Sequence, residues 1–289
     1  MADGSNTYEW KFYRYNPSLV AAIIFTVCFV ATTNFHLYQL VRTRTRYFIP
    51  LCVGSFFEWI GYIGRALSSQ ESPDWTLGPY IMQTLLLLLA PALFAASIYM
   101  ELARIIELVD GESRSMIKRK WLTKIFVCGD ILSFTLQMAG GGIMASGSLS
   151  SLHLGEKIVI VGLFVQIVFF GFFICVSFSF NLAMHRLPTE KGEARHKIWH
   201  KHLNTLYLAS LLIMIRSIFR VVEYIQGNDG YLLRHEYYLY IFDGVLMLAV
   251  MVIFNVVHPS EVMAVLRGGK MAKGFKLYTL RESRFNSQL

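Results

Sequence analysis

The stretch LLIMIRSIFRVVEYIQG, residues 211–227, places Arg216, Arg220 and Glu223 inside an otherwise apolar run. An unpaired charge at the centre of a bilayer costs roughly 2.5–3.5 kcal/mol even on the mildest insertion scale. The spacing i, i+4, i+7 gathers the three onto one helix face, which therefore points at other helices or a cavity and not at lipid. Two further apolar runs carry charge: Glu58 and Arg65 in FEWIGYIGR, and Asp243 in YIFDGVLML. With a rise of about 1.5 Å per residue, three opposite-charge pairs match in depth. They are Glu58 with Arg216, Asp243 with Arg220, and Glu223 with Arg65. Gly54 and Gly61 flank Glu58 on its own helix face, where small residues let a neighbour approach and leave room beside the acid. Six charges in one half of the membrane point to a polar cavity able to hold a charged head group, with Gln83, Gln137 and Gln166 as uncharged lining.

Other chemistries lack their residues. No GxxxxGK[ST] phosphate loop occurs, and the seventh apolar run has no lysine to form a Schiff base. HKIWHKH spaces His196 and His200 by four with His202 beside them, but it sits in a basic loop with no carboxylate or cysteine partner, so no metal is expected. Cys28, Cys52, Cys128 and Cys175 all fall in apolar runs and read as packing residues without disulfides. Glu101, Arg104 and Asp130 lie near the opposite ends of their spans and read as caps or anchors. No nucleophile–base set appears, so neither enzyme chemistry nor a cofactor is expected.

The elements that must position these charges are membrane helices. Of 289 residues, 55% are hydrophobic and 16% charged, and the mean hydropathy is +0.47. That exceeds an ordinary soluble domain, and the apolar residues cluster in runs of the length a bilayer demands. Seven spans are predicted, over 19–41, 47–67, 80–102, 125–145, 158–184, 203–225 and 237–257. Basic residues divide unevenly between the loops: nineteen lie on one side, counting the C-terminal tail, against Lys11, Arg14, Lys157 and Arg234 on the other. Basic loops stay in the cytoplasm, so the N-terminus is expected outside and the C-terminus inside. The net charge of +8 thus reports topology, and no nucleic-acid partner is expected. The chain divides into an extracellular N-terminal segment (1–16), a seven-helix transmembrane domain (17–259) and a basic cytoplasmic tail (260–289). The polar N-terminal segment resembles no cleavable signal, so the first span is expected to direct insertion. Pro91 should kink the third span by freeing a backbone carbonyl. Gly140-Gly141-Gly142 should allow close helix approach or unwinding.

FEWIGYIGR, LAPALFAASIYMELARII, DILSFTLQMAGGG, RSIFRVVEYIQG and YIFDGVLMLAVMVIFNVVHP lie in order on successive spans. Together they resemble the fungal lipid-translocating exporter (RTA-like) family, over about residues 17–259. The resemblance implies an all-α, multi-pass fungal membrane protein, expected at the plasma membrane. It also implies a link to sphingoid long-chain base release, to resistance against toxic sterols and azoles, and in some members to porphyrin traffic. Glu58, Arg65, Asp130, Gln137, Arg216, Arg220, Glu223 and Asp243 all fall inside the matching motifs. The chain has no Asn-x-Ser/Thr sequon, unlike members that carry N-glycans. The expected function is a translocase for an amphipathic lipid, with membrane lipids as its surroundings and no oligomeric state specified. A receptor-like lipid sensor and a porphyrin or haem transporter are the alternatives.

Overall fold

The computed structural model describes residues 13–144, 149–227, 230–274 and 276–280. The expected N-terminal segment as far as residue 12, with Lys11, lies outside the described residues, as do Arg281 and Arg284 of the basic tail.

The helices follow one another as α1 (Leu19–Thr43), α2 (Ile49–Gln70), α3 (Leu77–Leu108), α4 (Arg119–Met144), α5 (Leu149–Arg186), α6 (Glu190–Ala194), α7 (His196–Gln226), α8 (Glu236–Leu239), α9 (Leu246–Val256) and α10 (Ser260–Arg267). Local chemistry sets several of their ends. The Ser18 hydroxyl accepts from the Ala21 amide to cap α1, and proline occupies the first turn of α2, where its missing N–H costs nothing. Seven helical segments among the described residues are long and apolar enough to cross a membrane. They are α1 to α5, α7, and the stretch Glu236–Arg267, which runs from α8 through a π-helical turn (Tyr240–Val245) into α9 and α10. Several helices run beyond their predicted spans, α3 by six residues at its C-terminal end. Apolar residues such as Val20, Ile24 and Val27 on α1 or Val168 on α5 face outward, the arrangement lipid permits and water does not.

Glycines decide which helices touch most closely. A Cβ on Gly54 would lie 2.8 Å from Phe94 and 2.9 Å from the Ala90 carbonyl, and one on Gly61 would lie 2.8 Å from Leu87. The α2 face that carries Glu58 is therefore pressed against α3. The predicted approach of a neighbour occurs, but α3 fills the room expected beside Glu58. Gly140 abuts Gly155 across the α4–α5 seam, whereas Gly141 and Gly142 face open space. The triple glycine thus acts through close approach, and α4 stays helical through it. Pro91 is also held within a continuous α3.

Of the four cysteines, Cys52 is buried, Cys28 half-buried, and Cys128 and Cys175 exposed. The packing role expected of all four fails for the last two, whose helix faces look outward from the bundle. The tail, read from sequence only as basic, folds as far as it is described. After α10, strands β1 (Gly269–Lys273) and β2 (Lys276–Leu280) pair antiparallel, with Gly269 opposite Leu280. The Ala272 amide donates to Ser260 Oγ at 2.9 Å, and Gln39 of α1 donates to the Gly274 carbonyl at 3.2 Å, so the hairpin is tied to the bundle.

Candidate functional site

Two tiers of buried charge lie on the face of α2 that carries Glu58 and Arg65. In the deeper tier Asp243 accepts from both arginines of α7. Arg216 Nε lies 2.6 Å from Oδ1, and Arg220 Nη2 lies 2.9 Å from Oδ2. Arg220 also donates to Glu223 one turn along α7, at 2.8 Å. Arg216 uses its remaining reach on the Leu87 carbonyl of α3, at 2.7 Å. Leu87 is four residues before Pro91, so this is the carbonyl that proline leaves without its helical partner. The π-helical turn carries Asp243, a local irregularity of the kind that often marks functional sites in membrane and soluble helices alike. Gly244 beside it has no space for a side chain, since a Cβ there would lie 2.5 Å from Tyr62 Oη.

The outer tier is built around Arg65, which is fully buried. Its Nη2 donates to Glu236 and to Tyr15, each at 2.8 Å, and its Nε to Tyr240 at 2.9 Å. Gln83 accepts from Tyr13 at 2.8 Å and stands 3.5 Å from Arg65 Nη1. The guanidinium also lies over the Tyr240 and Tyr15 rings, at 5.1 and 5.5 Å from their centroids. Burial pushes the Tyr13 and Tyr15 phenols above their ordinary range, so both keep their protons and can donate. Glu236 further accepts from the Ser18 amide at 2.7 Å, which ties the start of α1 into the same network. Along α2 the aromatic layer of Phe25, Tyr62 and Tyr240 falls between the levels of Glu58 and Arg65, with ring centroids 5.0–6.0 Å apart.

This geometry corrects two of the three expected pairs. Arg220 does meet Asp243, but Arg216 also binds Asp243 and not Glu58, and Glu223 binds Arg220 and not Arg65. Depth alone does not separate the partners, because Asp243 spans both arginines of α7, which lie one turn apart. Arg65 finds Glu236, which the sequence reading missed. A signal was available: Glu236 precedes Asp243 by seven residues, two turns along the same helix face. Tyr13 and Tyr15 carried no comparable signal. Gln137 belongs to neither tier. It donates to Ser133 on its own helix and to Gln166 across the α4–α5 seam, while its side-chain oxygen has no partner among the described residues. The expected cavity is closed in this conformation: Glu58, Arg65, Arg216 and Asp243 have no solvent exposure, and Arg220 is 8% exposed.

Glu58 is the exception in the deeper tier. It is fully buried, the charges acting on it are Asp243, Arg216 and Arg220, and neither carboxyl oxygen has a hydrogen-bond partner among the described residues. At the other end of the bundle His202 is held between Glu101 and Glu261, at 3.1 Å from each, so Glu101 anchors α3 to α7 and α10. Arg104 pairs with Glu107 at 2.7 Å. His185, His196 and His200 cluster there, with ring centroids 4.1 Å apart for His196–His200 and 4.8 Å for His185–His200. Among the described residues no group of three histidine, cysteine or acidic side chains has the geometry to hold a metal ion.

Seven apolar helices closing over an ion-paired interior define a polytopic α-helical membrane protein. Residues 51–265 match the family model described as RTA1 like protein, and the chain belongs to that family. It is 37% identical over 295 residues to Protein RTM1 of Saccharomyces cerevisiae, covering 89% of this chain and 94% of the relative. It is 40% identical over 279 residues to Protoporphyrin uptake protein 1 of the same species, covering 84% and 90%. At greater distance, the Sphingoid long-chain base transporter RSB1 of S. cerevisiae is 25% identical over 277 residues, covering 84% and 72%. No solved structure matches. The family includes proteins named as membrane transporters, and the deeper tier lies wholly within the matched region.

Proposed function

We propose that this protein is a carrier, not an enzyme, which moves single-chain amphipathic lipids of the sphingoid-base type across the plasma membrane, with its C-terminus in the cytoplasm. The observation that carries the reading is Glu58, an acid in the bundle interior that no arginine neutralises, beside a cluster in which every other acid is bonded. A sphingoid base presents an ammonium group, and a buried ammonium requires such a carboxylate. The name of the sphingoid base relative supports the same substrate class. Arg65 and its phenols close the outer end, and release of the head group requires that clasp to part.

Protoporphyrin is the second reading, favoured by the 40% identical relative. Its carboxylates would take the N–H groups that Arg216 Nη1 and Arg220 Nε leave without partners among the described residues. Purified protein in liposomes decides between them. Movement of a sphingoid base that Glu58→Gln abolishes, with normal protein level, is the expected result. Movement of porphyrin lost in Arg216→Gln, with Glu58→Gln fully active, would overturn it.

A further inference from the structure

The deeper tier is balanced without Glu58. Arg216 and Arg220 carry two positive charges, Asp243 and Glu223 carry two negative ones, and all four are joined by hydrogen bonds of 2.6–2.9 Å. Glu58 is a fifth ionisable group in the same enclosure, with no donor to either oxygen among the described residues. The titratable and charged groups facing it are Tyr62 on its own helix, Arg216 and Arg220 on α7, and Asp243 on the seventh span. From α3 this face of α2 meets Leu87 and Phe94, and from α1 Phe25 and Phe29 stack on Tyr62. None of those four can donate to a carboxylate. An ionised carboxyl sealed in such a place, without a hydrogen bond, is far costlier than a neutral one.

We infer that Glu58 is a proton-binding site, and that a cationic head group and a proton compete for it, so that the carrier exchanges one for the other. This rests on the carrier reading above. In the closed state Glu58 is a neutral acid and the tier carries no net charge. When an ammonium group arrives, the Glu58 O–H bond breaks, the proton passes to water, and a carboxylate–ammonium pair forms. The tier is again neutral, so either occupant satisfies the enclosure and the bare carboxylate does not. A carrier that can close only when loaded with one or the other moves cations against protons. A proton gradient directed into the cell then drives a cationic amphiphile outward.

The test uses the full-length protein in liposomes with sphinganine as the probe. Below the titration of Glu58, binding of sphinganine is expected to weaken about tenfold for each unit fall in pH, by competition for one site. In infrared difference spectra its binding should remove the stretching band of a protonated carboxyl. Glu58→Gln should abolish both the pH dependence and the band change, and Glu58→Asp, which keeps the acid, should retain both. Binding independent of pH, or a carboxyl band unchanged in the wild type, would overturn the proposal. So would a band change that survives in Glu58→Gln. Should the band and the pH-linked binding appear while sphinganine never crosses the bilayer, the proton site stands and the carrier reading fails.

Discussion

The guanidinium of Arg216 and the carbonyl oxygen of Leu87 are 2.7 Å apart, across the interface between α7 and α3. Pro91 is what makes that carbonyl available, since the residue four positions beyond Leu87 has no N–H to offer. An irregularity in one helix thus becomes an acceptor for a charge in another, and the proline serves inter-helix bonding within an unbroken α3.

The pairing makes Pro91 and Arg216 energetically coupled. Arg216→Lys keeps the charge but cannot bridge Asp243 and Leu87 together, because an ammonium lacks the planar fork. We expect it to lower thermal stability in detergent by an amount equivalent to roughly 1.5–3 kcal/mol, the worth of a hydrogen bond to a charged group. In a Pro91→Ala background the Leu87 carbonyl regains a helical donor, so the same change should cost about 1 kcal/mol less. Equal costs in both backgrounds would show that proline and arginine do not share that carbonyl.

The network also ranks double substitutions. Arg220→Ala alone strands Glu223 and should cost about 3–5 kcal/mol, the usual result of breaking one side of a buried pair. Adding Glu223→Ala removes the stranded acid and leaves Arg216 on Asp243, so much of the loss should be recovered. Adding Asp243→Ala instead strips Arg216 of its carboxylate, and the damage should grow. The order of melting temperatures among these variants is the measurement, and the reverse order would contradict the pairing described here.

How much of this could be read in the sequence depends on the kind of feature. The seven spans are legible because hydrocarbon thickness imposes a length and a composition on every helix, whatever its neighbours. The identity of the buried charges is legible for the same reason, since ionisable residues in apolar runs are rare and expensive. Their pairing is less so. Depth along a helix is a single coordinate: Glu58 and Asp243 both face Arg216, yet only Asp243 bonds it, from a π turn that no residue type announces. Gln137 shows the limit plainly: its depth suits the outer cluster, but its helix packs elsewhere. The β-hairpin after α10 was hidden because Lys270, Lys273 and Lys276 mask its short alternation under charge.

The orientation expected from the basic loops is tested by protection. A tag after Leu289 should resist protease added outside intact cells, and a tag before Met1 should be cleaved. Cleavage of the C-terminal tag would invert the carrier, and with it the direction in which the proposed proton exchange drives lipid.

The outer clasp should separate a charge effect from a polar one. Tyr15→Phe deletes one acceptor from Arg65 and leaves Glu236 and Tyr240 in place, so about 0.5–1.5 kcal/mol of stability should be lost. Glu236→Ala removes the only carboxylate bonded to Arg65 among the described residues and also frees the Ser18 amide, so its cost should be several times larger. Similar melting temperatures for the two variants would place the weight of the clasp on the phenols.

The last prediction concerns the three adjacent glycines of α4, which the structure makes unequal. A Cβ at Gly140 would sit 2.6 Å from the Gly155 carbonyl oxygen and 2.9 Å from the Val159 amide nitrogen, and backbone cannot step aside as a side chain can. Gly140→Ala should therefore push α4 and α5 apart and cost about 1–3 kcal/mol, the usual range for overpacking. Gly141 and Gly142 have nothing within 4 Å of the added carbon. Their alanine variants relieve the backbone entropy of glycine in a helix and should be neutral or more stable by up to about 1 kcal/mol. Melting curves in one detergent compare the three directly. A loss at Gly141 or Gly142 as large as that at Gly140 would mean that the run serves as a hinge, and that its contact with α5 is secondary.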